Sequence, residues 1–177
     1  MNRGAFISEH DENRIYGCDY FLDPNRWKEY PNEIKKVLKD EEWSEYIKYL
    51  DKNGNLSSMI DSLPDTEGGF YIFFIQGQTL PSSEMYLAYI GRAQCTDNQN
   101  IRKRVKRYLW ESKQEDGRPK IKQLFRNWKD FLYIKYFHTQ NNKLIERGEK
   151  ELIRAILPPF NDEIPDSIDF KKPQKAF

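Results

Sequence analysis

The chain has 177 residues, of which 32% are charged and 15% aromatic, with a formal net charge of +1. That balance excludes disorder through low hydrophobicity and leaves room for one domain with a proper core plus a small appendage. No apolar run approaches the ~18 residues of a spanning helix, the opening residues lack the apolar stretch of a secretory leader, and Cys18 and Cys95 are too few for a disulfide scaffold or zinc cluster, so no membrane partner and a reducing, cytoplasmic setting are expected.

Charge divides unevenly along the sequence. Residues 1–68 carry 9 Lys/Arg against 15 Asp/Glu, whereas residues 69–177 carry 20 against 13, so the two parts are expected to face different partners. Up to about residue 24 no period is visible, and only short extended pieces near Arg14 to Phe21 are expected. Between Asn25 and Leu63, Trp27, Tyr30, Ile34, Leu38, Trp43, Tyr46, Ile47 and Leu50 recur at three- and four-residue spacing, which predicts a mainly helical extension over residues 1–65 interrupted at Pro31 and at the turn Asp51 to Gly54. Ser62 to Gly68 reads as a tight turn or linker.

Gly69 opens a run of aromatic and β-branched residues, Phe70 to Ile75, too short for a helix, and Glu84 to Gly91 supplies a second strand across a long hairpin loop. Helices follow at Asn100 to Glu111 and Lys120 to Trp128, then a strand at Phe131 to Phe137, a helix at Asn141 to Leu157 and a proline-rich tail. The order β-β-α-α-β-α predicts an α+β domain over residues 66–165 with a three-stranded antiparallel sheet flanked by helices, followed by a tail over 166–177.

Two charges fall inside apolar stripes. On the last helix Glu149 lies four residues after Ile145 and three before Leu152, within a stripe completed by Gly148, Ile153 and Ile156. Arg104 occupies the same kind of position among Ile101, Val105, Tyr108 and Leu109. An unpaired buried ion costs several kcal/mol, so each must meet a counter-charge, a metal or several donors. Glu151, roughly 200° further around the helix, reads as solvated, and Glu146 is a weaker alternative to Glu149. Arg102, Lys103, Arg104, Lys106 and Arg107 on one helix suit a phosphate backbone as well as a solvated face. Tyr71 and Tyr89 each lie two residues from a strand glycine, where antiparallel pairing can bring them onto one face. Trp110, Trp128 and Tyr136 read as core residues rather than base-stacking platforms.

With these residues in place, the chain resembles the GIY-YIG nuclease superfamily from residue 69 to about 162. The first motif stands as Gly69-Phe70-Tyr71, with Phe in place of the usual Ile, and the second as Tyr89-Ile90-Gly91 followed by Arg92-Ala93. Ile101 to Tyr108 matches the helix that carries a catalytic arginine three residues after an apolar one, and Glu149 followed by Pro158-Pro159-Phe160-Asn161 matches the closing motif. Five motifs in order make the likeness specific. The segment Gln94 to Gln99 and the hairpin loop are longer than in compact members, and both are expected to carry specificity. Nothing before Gly69 takes part.

The resemblance implies an Mg²⁺-dependent (or Mn²⁺-dependent) endonuclease that hydrolyses phosphodiester bonds in duplex or branched DNA, with one metal per active site held by Glu149. It makes Tyr71 the general base or water-positioner, Tyr89 a hydrogen-bonding partner of water or phosphate, and Arg104 the stabiliser of developing charge. Tyr71 would then need the nearby metal or another cation, with Arg104 available, to lower its pKa. Gly91, Arg92, Lys103, Arg107, Tyr108 and Asn161 become supporting or substrate-binding residues, with Asn161 orienting the site or securing the chain end. A restriction-type, mobile-element or phage-defence role fits. Double-strand cleavage requires a homodimer or sequential nicking, and residues 1–65 offer a surface for assembly or a separate protein partner. The competing expectation is an inactive DNA-binding or protein-interaction module in which Arg104 and Glu149 form a structural ion pair.

Overall fold

The computed structural model describes residues 16–80 and 84–162. Expectations for residues 1–15, the hairpin tip at 81–83 and the tail from 163 onward lie outside them. Two short helices come first, α1 (Pro24–Glu29) and α2 (Asn32–Val37). Asp23 caps α1 by accepting from the Asn25 amide at 3.0 Å, and Pro24 takes the first helical position, where its missing N–H costs nothing. Pro31 separates the pair.

The helical reading of Trp43 to Leu50 is corrected. Its first part follows a short 3₁₀ turn at Asp40–Glu42, and Ile47–Lys48 forms a strand, β1, paired antiparallel as Ile47↔Ile134 and Lys48↔Tyr133. Three- and four-residue spacing was matched by chance there, because pairing with an exposed sheet edge overrode a weak local preference. The remaining elements are β2 (Gly68–Gln76), β3 (Met85–Ala93), α3 (Ile101–Glu111), α4 (Pro119–Trp128), β4 (Leu132–Thr139) and α5 (Asn142–Ile156). Among the described residues the sheet therefore has four strands rather than three, in the order β1-β4-β2-β3, and all neighbours run antiparallel.

β2 is central, and its alternating side chains build two cores. Tyr71, Phe73 and Ile75 face α3 and α4, where they pack with Ile101, Val105, Ile121, Leu124 and Phe125. Phe70 and Ile72 face the opposite way, against Ile145, Leu152 and Ile153 of α5. Residues 16–65 belong to this same body. Tyr49, Leu50, Ile60 and Leu63 are buried in the first core, and the Tyr49 hydroxyl donates to the Val105 carbonyl at 2.8 Å.

At the end of α5, Leu157 adopts a left-handed conformation (φ 56°) that turns the chain back towards β3. The Phe160 amide then donates to the Ala88 carbonyl at 3.0 Å, at an irregularity where the pairing steps from Phe73↔Tyr89 to Phe74↔Leu87. Asn161 completes the cover, accepting from the Ile90 amide at 2.9 Å and donating to the Ile90 carbonyl at 2.8 Å. Its amide thus imitates a strand neighbour on the outer edge of β3.

Candidate active site

Tyr71 and Tyr89 reach one face of the sheet as their spacing predicts, opposite Gly91 and Phe73 respectively. Between their hydroxyls stands a third phenol. Tyr108, from α3, lies 2.8 Å from the Tyr71 hydroxyl and 3.1 Å from that of Tyr89, so the three form a continuous hydrogen-bonded chain. The Tyr71 hydroxyl also donates to the Arg92 carbonyl at 3.1 Å. Tyr71 and Tyr108 are fully enclosed, and Tyr89 keeps 6% exposure.

Gly91 serves this chain sterically. A Cβ there would lie 2.5 Å from Cε2 of Tyr71, so the motif glycine makes room for the ring beside it. Gly91→Ala is expected to displace Tyr71 and lower stability by about 1–3 kcal/mol, the usual cost of overpacking, which thermal denaturation would measure.

Arg104 enters from α3 with its guanidinium carbon 5.2 Å from the centre of the Tyr108 ring. Burial pushes the Tyr71 hydroxyl well above the ordinary phenol range and the neighbouring Tyr89 adds to this, while the charge of Arg104 pulls the other way without prevailing. Arg104 alone thus does not offset burial, and the Tyr71 hydroxyl is already committed to two partners.

Glu149 comes to the same end of the sheet from α5, with its side chain 18% exposed. Its counter-ion differs from the one expected: Arg92 Nε, at 3.1 Å from Oε2, forms the ion pair, and Arg104 acts on the carboxylate only through its charge. Burial raises the Glu149 pKa above the ordinary carboxylate value despite both arginines. Arg92 also donates to the Glu146 carbonyl at 3.4 Å, and the Glu146 side chain itself is 54% exposed and turned towards Lys150. Glu151 is less solvated than expected: it lies within 3.6 Å of Arg154 and lines a small polar cavity with Arg26 and Tyr30.

The basic face of α3 is mostly spoken for. Arg102 donates to the Leu63 carbonyl at 2.6 Å and pairs with Asp65 at 2.9 Å, while Lys106 pairs with Asp61. Acidic residues of the first part of the chain thus neutralise the helix, which accounts for some of the charge asymmetry internally. Lys103 and Arg107 remain exposed, the latter 5.9 Å from the Trp110 ring centre. Trp110 is 57% exposed and is not the core residue expected.

One pair escaped the sequence reading. Arg118 donates to the Tyr89 hydroxyl at 3.0 Å and forks onto Glu111, with Nε 2.6 Å from Oε1 and Nη2 3.3 Å from Oε2. Burial pushes the Glu111 carboxyl up, but the hydrogen bond and charge of Arg118 outweigh it and hold the group below its usual range. The available signal was an arginine immediately before Pro119 at a helix start, where Ser, Thr, Asp or Asn is preferred.

A metal fits here only as a single-carboxylate site. Among the described residues no group of three or more His, Cys, Asp or Glu side chains could hold an ion, yet Mg²⁺ is ordinarily held by one or two carboxylates with water and phosphate oxygens. Glu149, partly exposed and paired with Arg92, meets that requirement. An apolar cavity of about 390 Å³ at the other end of β2 and β3, lined by Tyr16, Tyr20, Tyr86 and Trp128 among others, shares no residue with it. No helix among the described residues is long and apolar enough to cross a membrane. No family model, curated protein or solved structure matches the chain.

Proposed function

We propose that this protein is a metal-dependent endonuclease that hydrolyses phosphodiester bonds in DNA, in the manner of the GIY-YIG superfamily. The reading is carried by one observation: the carboxylate of Glu149, the guanidinium groups of Arg92 and Arg104, and the phenol chain Tyr71-Tyr108-Tyr89 lie at one end of the sheet although they come from four separate elements. A protein that needed only a buried ion pair would gain nothing from placing three linked phenols beside it.

Glu149 would hold Mg²⁺, which when bound supplies Lewis acidity at a phosphate oxygen and a water of lowered pKa. Arg104 faces inward with its charge directed at the same space and would neutralise negative charge developing on the phosphorane-like transition state. Arg92 neutralises Glu149 in the resting arrangement and can exchange that partner for a phosphate oxygen. Tyr71, enclosed and hydrogen-bonded at both sides, acts by fixing Tyr108 and the end of β3 rather than by carrying a phenolate. Asn161 secures the chain end against β3. Lys103 and Arg107 present exposed cations to the backbone further along the duplex.

The test is incubation of the purified protein with plasmid and with branched duplexes in Mg²⁺ and in EDTA. Cleavage confined to Mg²⁺, slowed in Tyr71→Phe without loss of fold, supports the reading. The enclosure of Tyr71 favours a second account, a DNA-binding module that cuts nothing, and intact DNA despite measurable binding across all substrates would establish it.

A further inference from the structure

Helix α3 sorts its charges by flank. Arg102 and Lys106 face the first part of the chain, where Asp65 and Asp61 neutralise them. Arg104 and Glu111 lie on the flank towards the candidate site, the latter paired with Arg118. On the solvent side stand Lys103, Arg107 and Trp110, spaced by four and three residues and therefore on one face. Neither of these cations forms an ion pair among the described residues: Lys103 donates to the Asp97 carbonyl at 3.4 Å, and Arg107 lies over the indole. A helix that pairs the cations of one flank with carboxylates and leaves these two open is complementary to a polyanion.

Trp110 indicates which polyanion. It is 57% exposed, although aromatic side chains of this size otherwise dominate cores. Its contact with Arg107, at 5.9 Å from guanidinium carbon to ring centre, contributes little in water and leaves much of the ring open. Phosphates of a paired or an unpaired strand would serve Lys103 and Arg107 equally; the indole decides between them. In a duplex each base is stacked on its neighbours and offers no free face to a ring on the outside of a helix, whereas an unpaired base presents a π-face that stacks on Trp. Trp110 stands one and two-thirds helical turns beyond Arg104, ~9 Å along the axis, which is the span of about three stacked nucleotides at ~3.4 Å each.

We propose that the outer face of α3 binds a DNA strand with unpaired bases, Lys103 and Arg107 holding its phosphates and Trp110 stacking on a base about three nucleotides from the phosphate at Arg104. Resting on the nuclease reading, this surface makes the preferred substrate a flap or a junction rather than uniform duplex.

The experiment uses the full chain with an end-labelled duplex and with a flap in which the same duplex carries a single-stranded arm. Binding is measured by anisotropy in Ca²⁺ and single-turnover cleavage in Mg²⁺. Wild type should hold and cut the flap in preference to the duplex. Trp110→Leu should reduce that preference by about 5- to 100-fold, the contribution of one stacked base, and Trp110→Phe should keep most of it. Lys103→Gln and Arg107→Gln should weaken binding to both DNAs and flatten its salt dependence. A 5-iodouracil at about the third position of the arm should crosslink to Trp110, as mass spectrometry would read. Thermal melts check that each variant keeps its fold. Equal affinity of wild type for the two DNAs, or a folded Trp110→Leu chain that loses both alike or neither, would overturn the proposal while leaving the nuclease intact. A chain that prefers the flap through Trp110 and never cuts it keeps the surface and removes the nuclease reading. A chain that binds neither DNA overturns both and gives the face to an acidic protein.

Discussion

Glu149→Gln is expected to reduce cleavage by about a thousandfold or more while leaving the thermal midpoint unchanged or higher. Loss of metal-supplied charge stabilisation is worth several kcal/mol, and about 4 kcal/mol corresponds to three decades in rate. The stability half of the expectation follows from the sign of the pKa shift. Burial, opposed by Arg92 and Arg104, raises the Glu149 pKa on folding, so the folded chain holds the proton more tightly than the unfolded one. Ionised Glu149 therefore costs stability above its folded pKa, and the cost disappears as pH falls below the ordinary carboxylate value. Gln carries no charge and removes the cost at every pH. Arg92 loses its partner, but at 30% exposure water can serve it. Single-turnover rates and thermal melts on the same samples decide the matter, and a variant that loses activity only as it loses folded protein would make Glu149 a structural residue.

Most of the sheet and all three long helices could be read directly from the chain, because their side-chain periods are set by burial. Ile145, Gly148, Leu152 and Ile153 are buried as the stripe on α5 predicts, and Ile101, Val105 and Tyr108 likewise on α3. The strand β1 could not be read, since two residues carry no period and only the exposed edge of β4 defines them. The candidate site was legible as a set of residues but not as a set of pairings. Nothing in spacing says that Glu149 meets Arg92 rather than Arg104, because Arg92 lies on β3, with α3, α4 and β4 between it and α5, and its choice depends on how α5 packs against β3. Tyr108 was visible as a core residue, whereas its place between two other hydroxyls needed the register of β2 against β3. The pairing of Arg118 lay beyond reach for the same reason: its partners are a helix end seven residues back and a strand 29 residues back.

Removing residues 1–65 is expected to abolish cooperative folding rather than release an independent nuclease domain. Tyr49, Leu50, Ile60 and Leu63 are at most 1% exposed and fill the core beneath α3 and β2. At ~1.5–3 kcal/mol for each buried side chain, four of them contribute about 6–12 kcal/mol, comparable with the ~5–15 kcal/mol that stabilises a whole domain. The same segment pins the helix that carries Arg104. The Asp65 carbonyl accepts from the Asn100 side chain at 2.6 Å, the Leu63 carbonyl accepts from Arg102, and the Glu67 carbonyl accepts from the Ile101 amide at 3.0 Å. Deletion to residue 65 severs the first two outright and exposes the side chains beneath. A fragment of residues 66–177 should therefore lack a sharp thermal transition by circular dichroism. Tyr49→Phe offers a milder version: the Val105 carbonyl, one residue from Arg104, keeps its helix donor but loses the Tyr49 hydroxyl, at a cost of about 0.5–1.5 kcal/mol. A 66–177 fragment that melts cooperatively would mean that the first part of the chain is an appendage after all, and that the core over β2 can close without it.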